Sequence, residues 1–436
     1  TNVETLTIDN TEAITATLGA EAAEAGIVTV TLTDDASVDT ITVGSGFTNN
    51  LTVNLDDDDA IDVINASAYT KNLTVVAGEA DLISVAHVLT GGSGTDELEY
   101  TMTESETLNL DSMTNFETIT LKNASGTDTT TITMVDATND SSSITLDATG
   151  LDDDVLVFDA SAEDDGTYTV KTAGSGAMTI TLGSKNDTVD ASNGTGTEAS
   201  GVHTITATGG ANTITTGSGA DVITAGSGVD TIKGSGGADT FIFGSVADAA
   251  GDSLSDWAST ADKIRLTLDY SSTVSGVGVN TTRASAGVAG LAAAEATLSG
   301  VRGQFVYDTT NSNLLVDVTG DGEIGNADYK ISLKDAATAS ATVVQADMQF
   351  VVNGGTGGDT ITTGTGIDTI DGGTGADVID PGADGVIDTI KYAAGDTVVT
   401  IGGTGNGGTL TGFDTIAGNF DDADGTLYSD VIQVDI

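Results

Sequence analysis

"TTGSGADVITAGSGVDTIKGSGGADTFIF" spans Thr215 to Phe243, and a kindred phrase, "NGGTGGDTITTGTGIDTIDGGTGADVID", spans Asn353 to Asp380. Each places an aspartate every nine residues, behind a glycine-rich tripeptide and ahead of one large aliphatic residue. The unit reads G-G-x-G-x-D-x-U-x, with U at Ile223, Ile232, Ile361 and Ile370. Glycines permit positive φ and a tight turn whose carbonyls face inward. The residues after the aspartate form a short strand that sends U into a narrow core between two parallel sheets. Two units make one coil, and strands in neighbouring coils lie about 4.8 Å apart. At that spacing, carbonyls and carboxylates of adjacent turns can surround one cation. Calcium accepts about 6–8 oxygens at roughly 2.3–2.6 Å, whereas magnesium prefers stricter geometry and fewer protein ligands. Calcium is therefore the expected ion.

The nine-residue frames begin at 173 and 182 and, after an insertion, resume at 198, 207, 216, 225 and 234. Their sixth positions are Met178, Asp187, His203, Asn212, Asp221, Asp230 and Asp239. A second set at 354, 363 and 372 presents Asp359, Asp368 and Asp377, and an isolated "GGSGTDELE" from Gly91 presents Asp96. A turn held only by side-chain to backbone hydrogen bonds would also use aspartate. The repeated glycine spacing and the high charge favour a cation.

Composition agrees. The chain has 66 acidic residues against 12 basic ones, a formal charge of −54, 57 glycines, one proline and no cysteine. Only 14 of the acidic residues are Glu, which leaves 52 Asp, the residue of turns and of hard-cation ligation. Such a charge opposes compaction unless cations are bound. It also excludes nucleic acid as a partner, since nothing basic could neutralise phosphates. Without cysteine there are no disulfides, thiolate metal sites or cysteine nucleophiles. No apolar run is long enough to span a membrane, so no membrane insertion is expected. The first residues, "TNVETLTIDN", carry neither an initiator Met nor a signal peptide. They read as those of a mature or truncated product, with any anchoring region upstream.

Five segments are expected: 1–172, an irregular Thr/Asp-rich β-solenoid; 173–243, the first nonapeptide block; 244–353, a non-repetitive flanking or cap segment; 354–390, the second block; and 391–436, a C-terminal β segment. In the first, "IVTVTLTDD", "LTVNLDDDD" and "FETITLKN" alternate apolar and polar residues with the period of half-buried strands. A motif recurs at strand ends as Asn65-Ala66-Ser67, Asp147-Ala148-Thr149, Asp159-Ala160-Ser161 and Asp190-Ala191-Ser192. Its variable spacing suggests irregular solenoid coils, although a sandwich of regularly spaced strands would look similar. The cap segment holds one plausible helix, "AGVAGLAAAEATLSG", and the loop "DVTGDGEIGNAD". That loop has EF-hand-like spacing, with side-chain oxygens at Asp317, Thr319, Asp321 and Asp328, a backbone carbonyl at Glu323 and the sharp turn at Gly322. It departs from the pattern at Gly325 and in ending on Asp328 instead of a bidentate Glu. Both an occupied metal loop and a plain acidic turn remain open. Trp257, Phe413 and Phe420 would cover a hydrophobic solenoid end.

The nonapeptide resembles the repeat of RTX calcium-binding secreted proteins, specifically over 207–242 and 354–380. The resemblance implies an all-β, elongated parallel β-solenoid or β-roll with several Ca2+ ions in its turns and a non-repetitive cap. It implies that Asp221 and Asp239 serve one calcium row while Asp230 aligns with Asn212 in the other. Asp359 and Asp377 would share a row, with Asp368 on the opposite side. The frames with Met178 and His203 depart from the family pattern, and their turns should be weak or metal-free. "GQFVYDTTNSNLLVDVTGDGEIGNADYKISL" is similar to the flank that closes the roll in serralysin-type domains, and the acidic, apolar C-terminus is similar to a type I export signal.

No catalytic set is visible. His87 and His203 are the only histidines, no H-E-x-x-H or G-x-S-x-G motif exists, and aromatic platforms for sugars are scarce. A non-enzymatic protein is expected. "GGSGTDELEY" and "MTNFETITLKNASG" are similar to the assembling region of Gram-negative S-layer proteins, which implies a secreted, extracellular protein forming a homo-oligomeric cell-surface lattice. Cell-surface polysaccharide would then be held through a region outside this chain. The alternative is the C-terminal export module of a large secreted adhesin. Extender domains of such adhesins repeat at longer intervals as sandwiches, and no such repeat is seen.

Overall fold

A computed structural model describes residues 3–9, 12–33, 38–55, 62–78, 82, 87–123, 127–135, 143–192, 201–259, 261–271, 277–285, 287–334, 343–382, 386, 388–392, 415–416 and 431–434. The chain divides into two compact units, 1–221 and 222–436, so the division falls inside the first run of nonapeptides.

The first unit is a stack of coils whose strands pair in parallel. One sheet begins Thr5–Asp9, Thr29–Thr33, Leu51–Asn54 and continues through Glu97–Met102, Ser143–Gly150 and Thr167–Thr172 to Thr188–Asp190 and Thr213–Thr215. A second runs from Thr15–Leu18 to Met113–Thr114. At that point a third sheet, from Glu106–Leu108 to His203–Thr206, takes over as the partner wall. Pairings such as Thr5↔Thr29, Thr29↔Thr52 and Thr118↔Thr145 set coils of unequal length. Alternate residues point inward and stack in register. Val30, Val53, Val75, Leu98, Ile119, Leu146, Val170, Val189 and Ile214 form one buried column. Each such side chain contributes about 1.5–3 kcal/mol by leaving water. Because Thr169 pairs with Thr188, the ladder runs through residue 172 without interruption. The recurring strand-end motif proves to be a local turn. The carboxamide of Asn65 and the carboxylates of Asp147, Asp159 and Asp190 each accept the N–H two residues on, at 2.9–3.1 Å.

The second unit is also largely parallel. Val222–Thr224, Thr240–Phe243, Lys263–Asp269, Met348–Asn353, Thr369–Asp371 and Thr389–Tyr392 follow one another in one sheet. Gly278–Asn280, Thr360–Thr362 and Val378–Asp380 form another. In the nonapeptide coils the pairing Val222↔Thr240 and Thr360↔Val378 has the two-unit spacing the sequence implied. The cap segment breaks the pattern. Gln304–Asp308, Asn313–Asp317 and Tyr329–Leu333 are antiparallel neighbours, and the last then pairs in parallel with Ser253–Leu254. The expected helix is reduced to Leu291–Glu295. Gly290 at φ 91° breaks it before and Gly300 at φ 72° follows it, so only five residues stay helical. Its Ala294 packs on Val306 and Leu315. Trp257 is buried against Phe241, with ring centroids 6.5 Å apart, while Phe413 and Phe420 lie outside the described residues.

Candidate metal centre

Every aspartate, asparagine and histidine at the sixth position of a described frame is buried: Asp187, His203, Asn212, Asp221, Asp230, Asp239, Asp359, Asp368 and Asp377. Their placement follows one rule. At the entry to a strand the chain swings out of the parallel ladder, and the first N–H loses its backbone acceptor. The side chain of the equivalent residue one coil later takes that N–H. Thus Asp359 N–H donates to Asp377 Oδ1 at 2.8 Å, Phe350 N–H to Asp368 Oδ1 at 2.7 Å, and Val277 N–H to Asp359 Oδ1. Tyr168 N–H donates to Asp187 Oδ1 and Asp187 N–H to Asn212 Oδ1, both at 2.8 Å. Asp368 N–H, on the face opposite Asp359 and Asp377, is held by Asp388 Oδ1 at 2.9 Å. The pairs Asp221 with Asp239 and Asn212 with Asp230, expected by resemblance, are divided between the two units.

One oxygen per carboxylate is thereby used on the backbone. In Asp187 and Asp252 the second, Oδ2, is buried without a hydrogen-bond partner. Burial pushes Asp187 up to about 6, against the hydrogen bond from Tyr168 N–H. The glycines supply room. A methyl group on Gly372 would meet Asp377 Oδ2 at 2.6 Å, and one on Gly373, at φ 76°, would collide with the carbonyl of Gly355 in the preceding coil. Hard carboxylate and carbonyl oxygens converge where no side chain could fit, which is the donor set calcium takes. Among the described residues no three His, Asp or Glu side chains converge by themselves. A cation in these turns therefore draws on backbone carbonyls as well.

The remaining candidates differ in how their atoms are engaged. Asp96 Oδ1 accepts Leu73 N–H at 2.8 Å and Oδ2 accepts Gly92 N–H at 2.6 Å, so both oxygens are on amides. Asn212 donates its Nδ2 to the carbonyls of Gly209 and Gly210 at 3.1 and 3.3 Å, binding its own turn together. His203 places both its N–H, at 2.7 Å, and its ring Nδ1, at 2.9 Å, on Asp221 Oδ1. In the 317–328 loop, Asp317 accepts Gly320 and Gly322 N–H, and Asp328 accepts Val318, Thr319 and Gly325 N–H. Asp321 Oδ1 accepts Glu323 N–H, and the Thr319 hydroxyl lies 3.3 Å from Asp317 Oδ1. This loop is ordered by its own amides.

Sequence reasoning missed that the same rung runs outside the nonapeptides. Ile14 N–H is held by Asp39, Asp39 N–H by Asp62 and Asp62 N–H by His87 Nδ1. Glu117, Asp154, Asp252 and Asp262 do the same for Asp96, Asp128, Asp230 and Asp239. His87, which belongs to no nonapeptide frame, is a rung. The signal was present in part: "VDTITV", "FETITL" and "DDVLVF" set the acidic residue directly before x-U, without the glycines.

The family model of the RTX calcium-binding nonapeptide repeat matches in four copies, over residues 205–245 and 353–385. No curated protein matches the chain. The matched stretches contain Asn212, Asp221, Asp230, Asp239, Asp359, Asp368 and Asp377, and leave out Asp96, Asp187 and the 317–328 loop. The chain carries RTX calcium-binding repeats set into a parallel β-solenoid architecture.

Proposed function

We propose that this is a secreted, non-enzymatic, calcium-dependent structural protein that assembles with copies of itself into a cell-surface layer. The observation that carries the reading is the continuity of the buried rung. The acidic position used by the matched repeats recurs through coils they do not match, so both units are built as the same charge-lined scaffold. Both histidines are buried in rungs, which removes the ordinary general bases from any surface chemistry. Among the described residues no helix is long and apolar enough to cross a membrane.

A layer needs lateral contact between chains that each carry a formal charge of −54. Simple salt screens such charges over roughly 8 Å at physiological strength, whereas calcium both folds the repeats and bridges carboxylates of neighbours. Light scattering should rise on calcium addition, reverse with chelator, and stay flat in sodium chloride of equal ionic strength. Negative-stain images of the calcium sample should show sheets. A monomer by sedimentation in millimolar calcium would replace the layer with the export module of an adhesin.

A further inference from the structure

Asp252 lies beyond the matched repeats and belongs to no nonapeptide frame, yet it occupies the rung after Asp230. Its Oδ1 accepts Asp230 N–H at 2.7 Å, and Ser253 N–H donates to the Asp230 carbonyl at 2.9 Å, so the turn ending at 252 sits directly on the turn ending at 230. Gly251, at φ 97°, presses onto Val229 so closely that a methyl group there would lie 3.1 Å from Val229 Cγ2. The Asp252 side chain is 1 % exposed and its Oδ2 has no hydrogen-bond partner. The residue also borders a cavity of about 430 Å³ with Asn313, Asn326, Asp328 and Lys330 of the cap, and no residue of the turn at 225–230 lines that cavity. No basic side chain pairs with Asp252 among the described residues, Lys330 included. A buried carboxylate oxygen facing no donor is costly unless a cation joins it. Burial, and then the charges of Asp230 and Asp248, push the group up to about 7, against the hydrogen bond it accepts.

We propose that Asp252 is a calcium ligand which the nonapeptides do not supply, closing with Oδ2 a cation site between the turn at 225–230 and the turn at 247–252. The proposal rests on the calcium-binding reading of the repeats. It extends the metal row one coil past the repeat match and makes the cap segment part of the binding unit. Asp262 supplies the contrast. It holds Asp239 N–H in the same manner, at 3.1 Å, but its Oδ2 already accepts Ala258 N–H at 2.8 Å.

The test uses the whole chain, with calcium counted by calorimetric titration. Terbium is the luminescent substitute, sensitised through Trp257, the single tryptophan, five residues from Asp252. Asp252→Asn keeps the acceptor for Asp230 N–H and removes the charge. It should bind one calcium fewer than the parent and raise the midpoint of sensitised terbium emission tenfold or more. Asp262→Asn should stay within twofold. Unchanged count and midpoint in Asp252→Asn overturn the proposal while the calcium reading stands, and a parent chain that takes up no calcium overturns both. Equal losses in the two variants assign the effect to the hydrogen-bond ladder and also overturn it. If Asp252→Asn does not fold, a crystal of the parent grown in calcium decides: a cation bonded to Asp252 Oδ2 is expected, and its absence overturns the assignment.

Discussion

At the scale of the residue, a nonapeptide rung aspartate has two separable tasks, one for each oxygen. Asp377 Oδ1 holds the amide of Asp359, and its other oxygen faces the Gly372 turn. Asp377→Ala should therefore cost about 1–3 kcal/mol even in chelator, because a buried N–H loses its acceptor. Asp377→Asn should keep metal-free stability and raise the calcium midpoint. Denaturant titrations with and without calcium separate the two. Acidity gives a second expectation. Asp187 and Asp252 sit at about 6 and about 7 in the folded protein, raised chiefly by burial, against about 3.9 unfolded. Below pH 4 both states hold the proton and nothing is lost. As pH climbs from there toward 7 the unfolded chain ionises first, and folding weakens by up to about 1.4 kcal/mol per unit of difference. Calcium-free protein should thus melt higher at pH 5 than at pH 8, and calcium should reverse the order because protons then compete with the ion. Asp269 works the opposite way, held low by the Ser271 hydroxyl and N–H, so its contribution is lost in stronger acid. The nonapeptide aspartates were readable from spacing alone. His87 and Asp252 were not, because a rung needs only the residue before a strand and carries no glycine signature of its own.

At the scale of the element, short strands survive because their inward residues stack into columns. Leu146 lies between Ile119 and Val170, fully buried, and Leu146→Ala should cost about 2–5 kcal/mol by transfer and cavity terms together. Thermal or denaturant unfolding checks it, and Thr145→Ala on the outward face of the same strand should stay within about 0.5 kcal/mol. Alternation with period two made these strands legible. The wall exchange near Glu106–Leu108 and Met113–Thr114 was hidden, since three short strands in one coil look the same in sequence as two and a turn. The helix at Leu291–Glu295 was overestimated because alanine propensity hid the glycines that bound it.

At the scale of the whole molecule, calcium should matter unevenly. Strands such as Thr40–Val43 and Leu51–Asn54 are held by packed columns, whereas the turns at 225–239 and 354–377 add glycine cradles and buried carboxylates to theirs. Hydrogen exchange in chelator should show protection kept in strands such as Leu51–Asn54 and Thr118–Asn123 and reduced in Thr231–Lys233 and Thr360–Thr362, with calcium restoring the latter. Uniform loss across both sets would mean that bulk charge, and not site geometry, governs the response.

The rung also gives the stack an arrow. In each described case the amide belongs to the earlier coil and the acceptor to the later one. A coil therefore presents a carboxylate acceptor backward and an amide donor forward, so the two ends of any stack are chemically unlike. Extension toward the N-terminus lays amides onto carboxylates already in place, and extension toward the C-terminus lays carboxylates onto amides already in place. Removing a coil from the far end therefore strips a buried amide of its acceptor, whereas removing one from the beginning leaves a carboxylate oxygen that water or a cation can take.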